Sequence, residues 1–508
     1  MRGTPVSYLD YSGGRNVKSA PYLLSEKECR DALNVHTSLS GDIEKRTGFV
    51  TLSGSTLTGS PINGTEVHTL FPVNVATKSL IGVARTASTD TIFKMTTGGV
   101  ASALKTGLTA NTRWYFAQGS PTTAGPIFGM NGVDKPIKWN GEAASVEEWV
   151  ATTGTIPTAG KYLTYWSSRL WCAEGARLRF SGITGETSDP LNWESTAYVD
   201  LDPNDGQPIT AINIVGDYLI VFKARKTYAI YDAASAVNRM ISSNIGCVAH
   251  RSVVNTPDGL LFLSEDQGIC KTNGSSITPI SEQILPDLEQ VGASPTTAAL
   301  AAGTLEGRRY YLSVSFGGTR NDHTIEYDLI QNSWWLHSCA SNQYALLDPS
   351  GTPVLYSADS TASARVSKAF VSGTFTDNGA NYETFWTGPW YAWGVGGGGL
   401  DPHVVKRIRE IRTDGVGNWE AFLASDFSET PERIEGEIWE QNQIATGLFG
   451  GEGTFGGTGT FGANPSATLA RHYLTPGLGR SHSLKYVNND QYNFKIYSTT
   501  FGLTARSN

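Results

Sequence analysis

Between Lys161 and His337 the apolar and polar positions repeat one phrase: a polar turn, an apolar strand, a second turn and a second strand. The copies are SSRLWCAEGARLRFSG from Ser167, GDYLIVFKARKTYAIY from Gly216 and DGLLFLSEDQGICKTNG from Asp258, with a looser fourth, EGRRYYLSVSFGGTRNDHTIEYD, from Glu306. Their starts lie about 42 to 49 residues apart, the spacing of propeller blades. EVHTLFPVNVATKSLIGVAR and RWYFAQGSPTTAGPIFGMNG read as two earlier hairpins and QYALLDPSGTPVLYSAD, from Gln343, as a possible seventh. Pieces such as PITAINIV and ITPISEQI would supply the remaining strands of four-stranded blades. The pattern predicts an all-β chain with a β-propeller of six or seven blades over 51–365, because closing the ring removes exposed edge strands. A pair of β-sandwiches is the competing architecture.

The flanks follow other rules. Residues 1–50 read as an extended N-terminal arm that passes through Lys45-Arg46-Thr47-Gly48-Phe49 into the first strand. It holds one helical candidate, from Ser25 to about Asn34, with Ser25 as cap and Glu28 completing a capping box. Past Phe370 longer alternating strands predict a C-terminal antiparallel β domain over 366–508. In VVKRIREIRTDG the residues Val405, Arg407, Arg409 and Ile411 do not sort by face, which implies a polar or partner-facing side. A glycine- and phenylalanine-rich loop at 447–462 carries Phe449, Phe455 and Phe461 among glycines. It cannot build a core alone, because glycine loses the most entropy on ordering.

Composition agrees with a strand-rich chain: 508 residues hold 56 Gly, 22 Pro, 13 Trp and 21 Tyr against four Met. The net charge of −8 speaks against a protein that coats nucleic acid, although like charge would let a polyanion slide past without sticking. Cys29, Cys172, Cys247, Cys270 and Cys339 are scattered, with no C-x-x-C, so buried free thiols are expected in place of disulfides or zinc. The N-terminus lacks a hydrophobic signal core and no apolar run approaches about 18 residues, which predicts a chain made in a cytoplasm without a membrane span.

Candidate chemistry is thin. Gly394 to Gly399 spells G-x-G-x-x-G, but Asp401-Pro402 and a strand follow where a phosphate would need a helix. Asp200-Leu201-Asp202-Pro203-Asn204-Asp205-Gly206 opens like a calcium loop, yet its sixth position is Asp205 and its twelfth Ala211, so a tight acidic turn is expected. The eight histidines form no H-x-x-x-H or H-E-x-x-H, Asp322-His323 reads as a hairpin turn, and no G-x-S-x-G elbow follows a strand. Lys223, Arg225 and Lys226, like Lys135 and Lys138, read as solvated turn residues, without the interleaved aromatics of a single-strand platform. Two distant carboxylates of a glycosidase remain the one enzymatic alternative, since such partners are separated in sequence. No catalytic, cofactor-binding or metal-binding residue is assigned, and no cofactor is expected.

In order along the chain, YSGGRNVKSAPYLLSEKECRDALNV with EKRTGF, FGMNGVDKPIKWNG, SSRLWCAEG with LRFSG and DPLNW, DGQPITAINIVGDYLIVFKARKTYAIY, IGCVAHRSVVNTPDGLLFLSEDQGICKTNG and VVKRIREIRTDG resemble the tail nozzle (tail hub) proteins of short-tailed bacteriophages. The likeness runs from about residue 10 to 420 and lies in phrasing and order, not in a catalytic motif. It implies a non-enzymatic virion protein: a β-propeller subunit with attached β domains, assembled as a homohexameric ring below the portal and adaptor. Such a ring extends the DNA channel, retains the packaged genome without specific binding to viral dsDNA, and docks tail fibres or tailspikes. A carbohydrate-active or carbohydrate-binding propeller is the alternative.

Overall fold

The computed structural model describes residues 5–53, 55–58, 62–119, 125–184, 187–233, 237–292, 295–361, 363–392, 405–428, 432–433 and 468–505. The glycine run at 394–399 and the glycine–phenylalanine loop at 447–462 lie outside them. The chain forms two compact units, 49–326 with 339–371, and 1–48 with 327–338 and 372–508.

Seven four-stranded antiparallel sheets follow one another along the chain, starting with the strands Glu66–Val73, Tyr115–Gln118, Lys161–Trp166, Ile209–Val215, Val254–Thr256, Ala302–Glu306 and Ser341–Leu347. In the first six sheets the later strands add outward in chain order, the third taking Tyr198–Asp200 as its fourth strand after three short strands that belong to other pairs. The seventh is completed by Gly48–Ser53, which joins it beside Val366–Val371, so a strand from the front of the chain closes the last sheet. The first strands of successive sheets touch in turn, except that Ile209–Val215 meets the fifth sheet through Gly259–Leu263 and the His250–Ser252 turn before it, and Ser341–Leu347 returns to Glu66–Val73. The cycle therefore closes, and the unit is a β-propeller with seven blades.

The apolar grammar has a direct cause in this arrangement. A blade is covered on both faces, so its central strands are apolar without interruption instead of alternating. In Tyr218–Lys223 the side chains of Leu219 and Val221 pack toward the third blade with Trp171 and Leu178, while Ile220 and Phe222 pack toward the fifth with Leu260 and Phe262. In Ser79–Arg85, Leu80 and Ala84 join the seventh blade and Ile81 and Val83 the second. Gly82 interrupts that run because a Cβ there would lie 2.5 Å from the Phe93 ring. All five cysteines are free and buried. Cys172 and Cys270 sit in blade strands, and burial pushes the Cys247 and Cys270 thiols up to about 12.

The second unit contains two larger sheets around one core, beside the two-stranded parallel pair Gly14–Arg15 with Glu28–Cys29. One runs Thr468–Gly479, Lys406–Gly417, Phe494–Ala505, Ile43–Lys45, Val35–Thr37, with Pro5–Tyr8 also on Phe494–Ala505. The other runs Asp31–Leu33, Thr384–Thr387, His482–Asn488, Glu420–Ser425, Glu432–Arg433. Tyr8, Val35, Ile408, Ile411 and Phe501 from the first meet Ala32, Trp386, Leu484 and Tyr486 from the second. The opening residues are thus no free arm: they supply strands to both sheets.

The helix expected from Ser25 to Asn34 is absent. Ser25 and Glu28 do form the capping contact, the Ser25 amide donating to Glu28 Oε2 at 2.8 Å. The chain then extends through Glu28–Cys29 and Asp31–Leu33, because the latter pairs with Thr384–Thr387 and buries Cys29 and Ala32. Tertiary pairing overrides a weak local propensity. The unsorted strand at 405–411 also has a cause. Pairing on both sides of Lys406–Gly417 shifts register between Ile408 and Glu410: against Phe494–Ala505 Arg409 is the extra residue of a bulge, and against Thr468–Gly479 the extra residues lie on the partner strand. Residues three apart normally face opposite ways; the bulge turns both Ile408 and Ile411 into the core.

Candidate functional site at the propeller axis

The first strands of the blades, or the segments leading into them, converge on a cavity of about 230 Å³. Phe71, Tyr115, Leu163, Asn213, Val253, Gly303 and Tyr344 each represent one of the seven blades, which places the cavity on the axis. A second cavity of about 290 Å³ lies where the inner strands begin, lined by Glu66, Arg85, Arg113, Arg320 and Asn342 among others.

Arg251 stands between the two. It enters from the short 3-10 turn His250–Ser252 before the fifth blade, and its guanidinium donates to the carbonyls of His68, Asn342 and Trp114 and to Thr69 Oγ1. Those acceptors belong to the seventh blade, the first, and the residue leading into the second. One buried side chain therefore cross-links the ring through its centre, with backbone carbonyls as acceptors. Burial, reinforced by Arg113, pushes the Arg251 guanidinium below its ordinary value. His250, Tyr115 and Tyr162 pack edge to face or tilted beside it, with centroids 4.7 to 5.3 Å apart. Burial and Arg251 hold His250 down to about 3, so its ring is neutral.

Two arrangements in the propeller have the residue types of catalysis. His68 Nδ1 is 3.0 Å from Thr69 Oγ1 and His68 Nε2 is 3.0 Å from Asp90 Oδ2, a hydroxyl–imidazole–carboxylate chain. Thr69 is 1% exposed and already accepts from Arg251 at 2.9 Å, so no electrophile can approach its oxygen. In the sixth blade burial pushes Glu306 up to about 7 against the pull of Arg309, and Glu326 adds to the rise. A protonated and an ionised carboxyl are the requirement for glycosidic cleavage. Glu326 is fully buried and ion-paired to Arg309 at 3.0 Å, so this pair does not present two carboxyls to a sugar.

The charged turns noticed in the sequence pair with one another. Lys223, expected in a solvated turn, is fully buried, and its Nζ donates to Asp205 Oδ1 at 2.8 Å and to the Asp202 carbonyl at 3.0 Å. Lys226 bridges Asp202 and Asp205, both at 2.9 Å, and Tyr228 donates to Asp202 at 2.7 Å. Burial opposes ionisation of Asp205, but hydrogen bonds led by Lys223 outweigh it and hold the carboxyl down to about 2. Two ammonium groups thus stand against the acidic turn where a calcium ion would have been needed. Arg225 meets Glu265 and Asp266, and Lys135 and Lys138 meet Glu148 and Glu147. His323 is bonded to Asp322 at 2.8 Å beside the Phe316 ring.

No protein family matches the sequence, and no characterised protein matches it. Among solved structures, the chain is similar to the extracellular domain of a hybrid two component system from B. thetaiotaomicron. That match has 9% identity and a TM-score of 0.44, and covers 81% of this chain and 58% of that one. It is similar also to the WD40 β-propeller domain of Doa1 (8%, TM-score 0.37, 64% and 96%) and to YCF48 from Cyanidioschyzon merolae (10%, TM-score 0.38, 60% and 96%). Likenesses this distant carry no argument about activity, and the propeller rests on its own strand order. Among the described residues no helix is long and apolar enough to cross a membrane.

Proposed function

We propose that the chain is a structural subunit of a short-tailed phage virion, forming the nozzle ring below the portal and adaptor. The observation that carries this reading is the ordered set of phrases from about residue 10 to 420. They fall on elements of both compact units: the Asp31–Leu33 and Lys406–Gly417 strands of one, and the second, third, fourth and fifth blades of the other.

The chemistry is compatible with such a role. The conspicuous basic turn residues are spent on carboxylates of the same chain, so they are not a ready phosphate-binding surface. The propeller axis is closed by Arg251, and cavities of a few hundred Å³ do not pass a duplex. DNA would therefore travel through the hole at the centre of a ring of subunits, sliding along an acidic chain by like-charge repulsion. Six copies, contacts to portal and adaptor, and docking of fibres or spikes belong to the same proposal.

Removing the gene from its virus tests it. Heads that fill but leak DNA or lack a finished tail, restored by the intact gene in trans, are expected; normal infectious particles would refute the role. The carbohydrate reading is addressed by a polysaccharide panel, where hydrolysis abolished by Glu306→Gln would replace the structural account.

A further inference from the structure

We propose that the cavity at the starting ends of the inner strands binds a small phosphate-class oxyanion, inorganic phosphate or pyrophosphate, on Arg85, Arg113 and Arg320. The case begins with an imbalance of charge. Arg15, Arg46, Arg177, Arg225, Arg309 and Arg365 each pair with a carboxylate, respectively Asp31, Asp377, Asp200, Glu265, Glu326 and Asp359. In this cavity three guanidinium groups face one carboxylate. Glu66 Oε2 takes Arg85 at 2.8 Å and Arg320 at 3.5 Å, and Glu66 Oε1 accepts from Asn342 at 3.1 Å. Arg113 donates to the Ala299 carbonyl at 3.1 Å.

Donors remain. Arg85 Nε and Arg320 Nη1 are buried atoms without a hydrogen-bond partner. Beneath them Arg251 adds another cation, and its Nε is likewise without an acceptor. The nearby carboxylate of Asp90 is engaged through Oδ2 by His68 and by the Thr112 amide, while its buried Oδ1 has no hydrogen-bond partner. Burial holds the Arg113 guanidinium below its ordinary value, and Arg85 adds to this while Glu66 opposes it. Buried guanidinium donors without an acceptor are costly, and a planar fork matches the oxygens of phosphate. The volume of about 290 Å³ is roughly ten times the share of one water, so it accommodates such an ion with its solvent. Asn111 lines the same cavity and offers a neutral donor. The site is independent of the virion reading.

The test is calorimetric titration of the full chain with phosphate and with pyrophosphate in low-chloride buffer near neutral pH. One saturable site per chain is expected. Arg113→Gln should weaken it about tenfold or more, the loss of one charge-assisted contact, and Glu66→Gln should tighten it, because the competing carboxylate is gone. A residue with only a structural role would not produce that second result. If Arg113→Gln does not fold, Arg320→Gln reads the same question, its side chain being 38% exposed on a loop. Arg177→Gln, an exposed arginine of the third blade, should bind as the unaltered chain does. Absence of saturable binding, affinity unchanged in both cavity variants, or equal weakening by Arg177→Gln would overturn the proposal.

Discussion

Arg46 and Arg251 are both buried cations, one in each compact unit, and they are satisfied in opposite ways. Arg46 donates from its two terminal nitrogens to the two carboxylate oxygens of Asp377, from Nε to Asn34 at 2.8 Å, and lies 3.9 Å over the Tyr382 ring. The same unit holds a polar chain, Tyr11 to Thr499 to Tyr486 to Thr413, with contacts of 2.7 to 2.8 Å. Arg251 has carbonyls and one hydroxyl. The two-sheet unit fixes its strands with matched charge and a chain of buried hydroxyl contacts. The propeller relies on apolar strands buried on both faces and places one cation at the point where the ring must close. A buried ion pair is strongly destabilised when one partner is removed, whereas a cation held by dipoles carries a desolvation cost that its removal relieves.

The comparison is sharpest in matched substitutions. Arg46→Met should lower stability by about 3 kcal/mol, because Asp377 is left without its partner. Hydrogen exchange should rise in 384–387 and 482–488 and not in the blades; exchange that rises equally in both units would break the distinction.

Next in size is a pH effect at Lys45, which is 2% exposed and donates to Asn488 Oδ1 and the Asp490 carbonyl. Burial pushes it down to about 8. A folded value below the unfolded one means that the folded state binds fewer protons between the two. The cost is therefore fully present below about pH 8 and is relieved as pH rises toward the ordinary lysine range. The chain should gain about 1 to 3 kcal/mol across that window relative to Lys45→Met, measured by urea unfolding at stepped pH. Parallel curves for the two proteins would contradict the assignment.

Arg251→Met should cost less than Arg46→Met, about 1 kcal/mol, since three carbonyls lose a donor while a buried charge disappears. An equal or larger loss would show that the axial cation has a compensating anion. The smallest effect belongs to Lys226→Gln, whose unfolding midpoint in urea should stay close to that of the unaltered chain, because Lys223 still holds Asp205 and the lysine lies near the surface.

Much of the ring was legible because its signal is local. A hairpin carries its own apolar runs and turns, so six repeats and a possible seventh could be counted from phrases. The closing strand Gly48–Ser53 could not, since nothing local says that residues near the front of the chain pair with Val366–Val371. The helix expected at Ser25 failed for the same reason: its capping contact exists, but the partner strand Thr384–Thr387 lies about 350 residues away. The axial site was invisible in sequence. Arg251 lies in AHRSVV without a motif, and Glu66, Arg113 and Arg320 come from three separate hairpins. Lys223 was misjudged because position in a turn suggests solvent, while Asp205 in the preceding connection draws it inside.

The measurement that tests the central claim most directly is negative-stain class averaging of the purified full chain across a range of concentrations. The account predicts sixfold rings with an open central hole, each copy carrying a disc with a closed axis. Single copies at every concentration, with or without portal and adaptor as template, would contradict the ring.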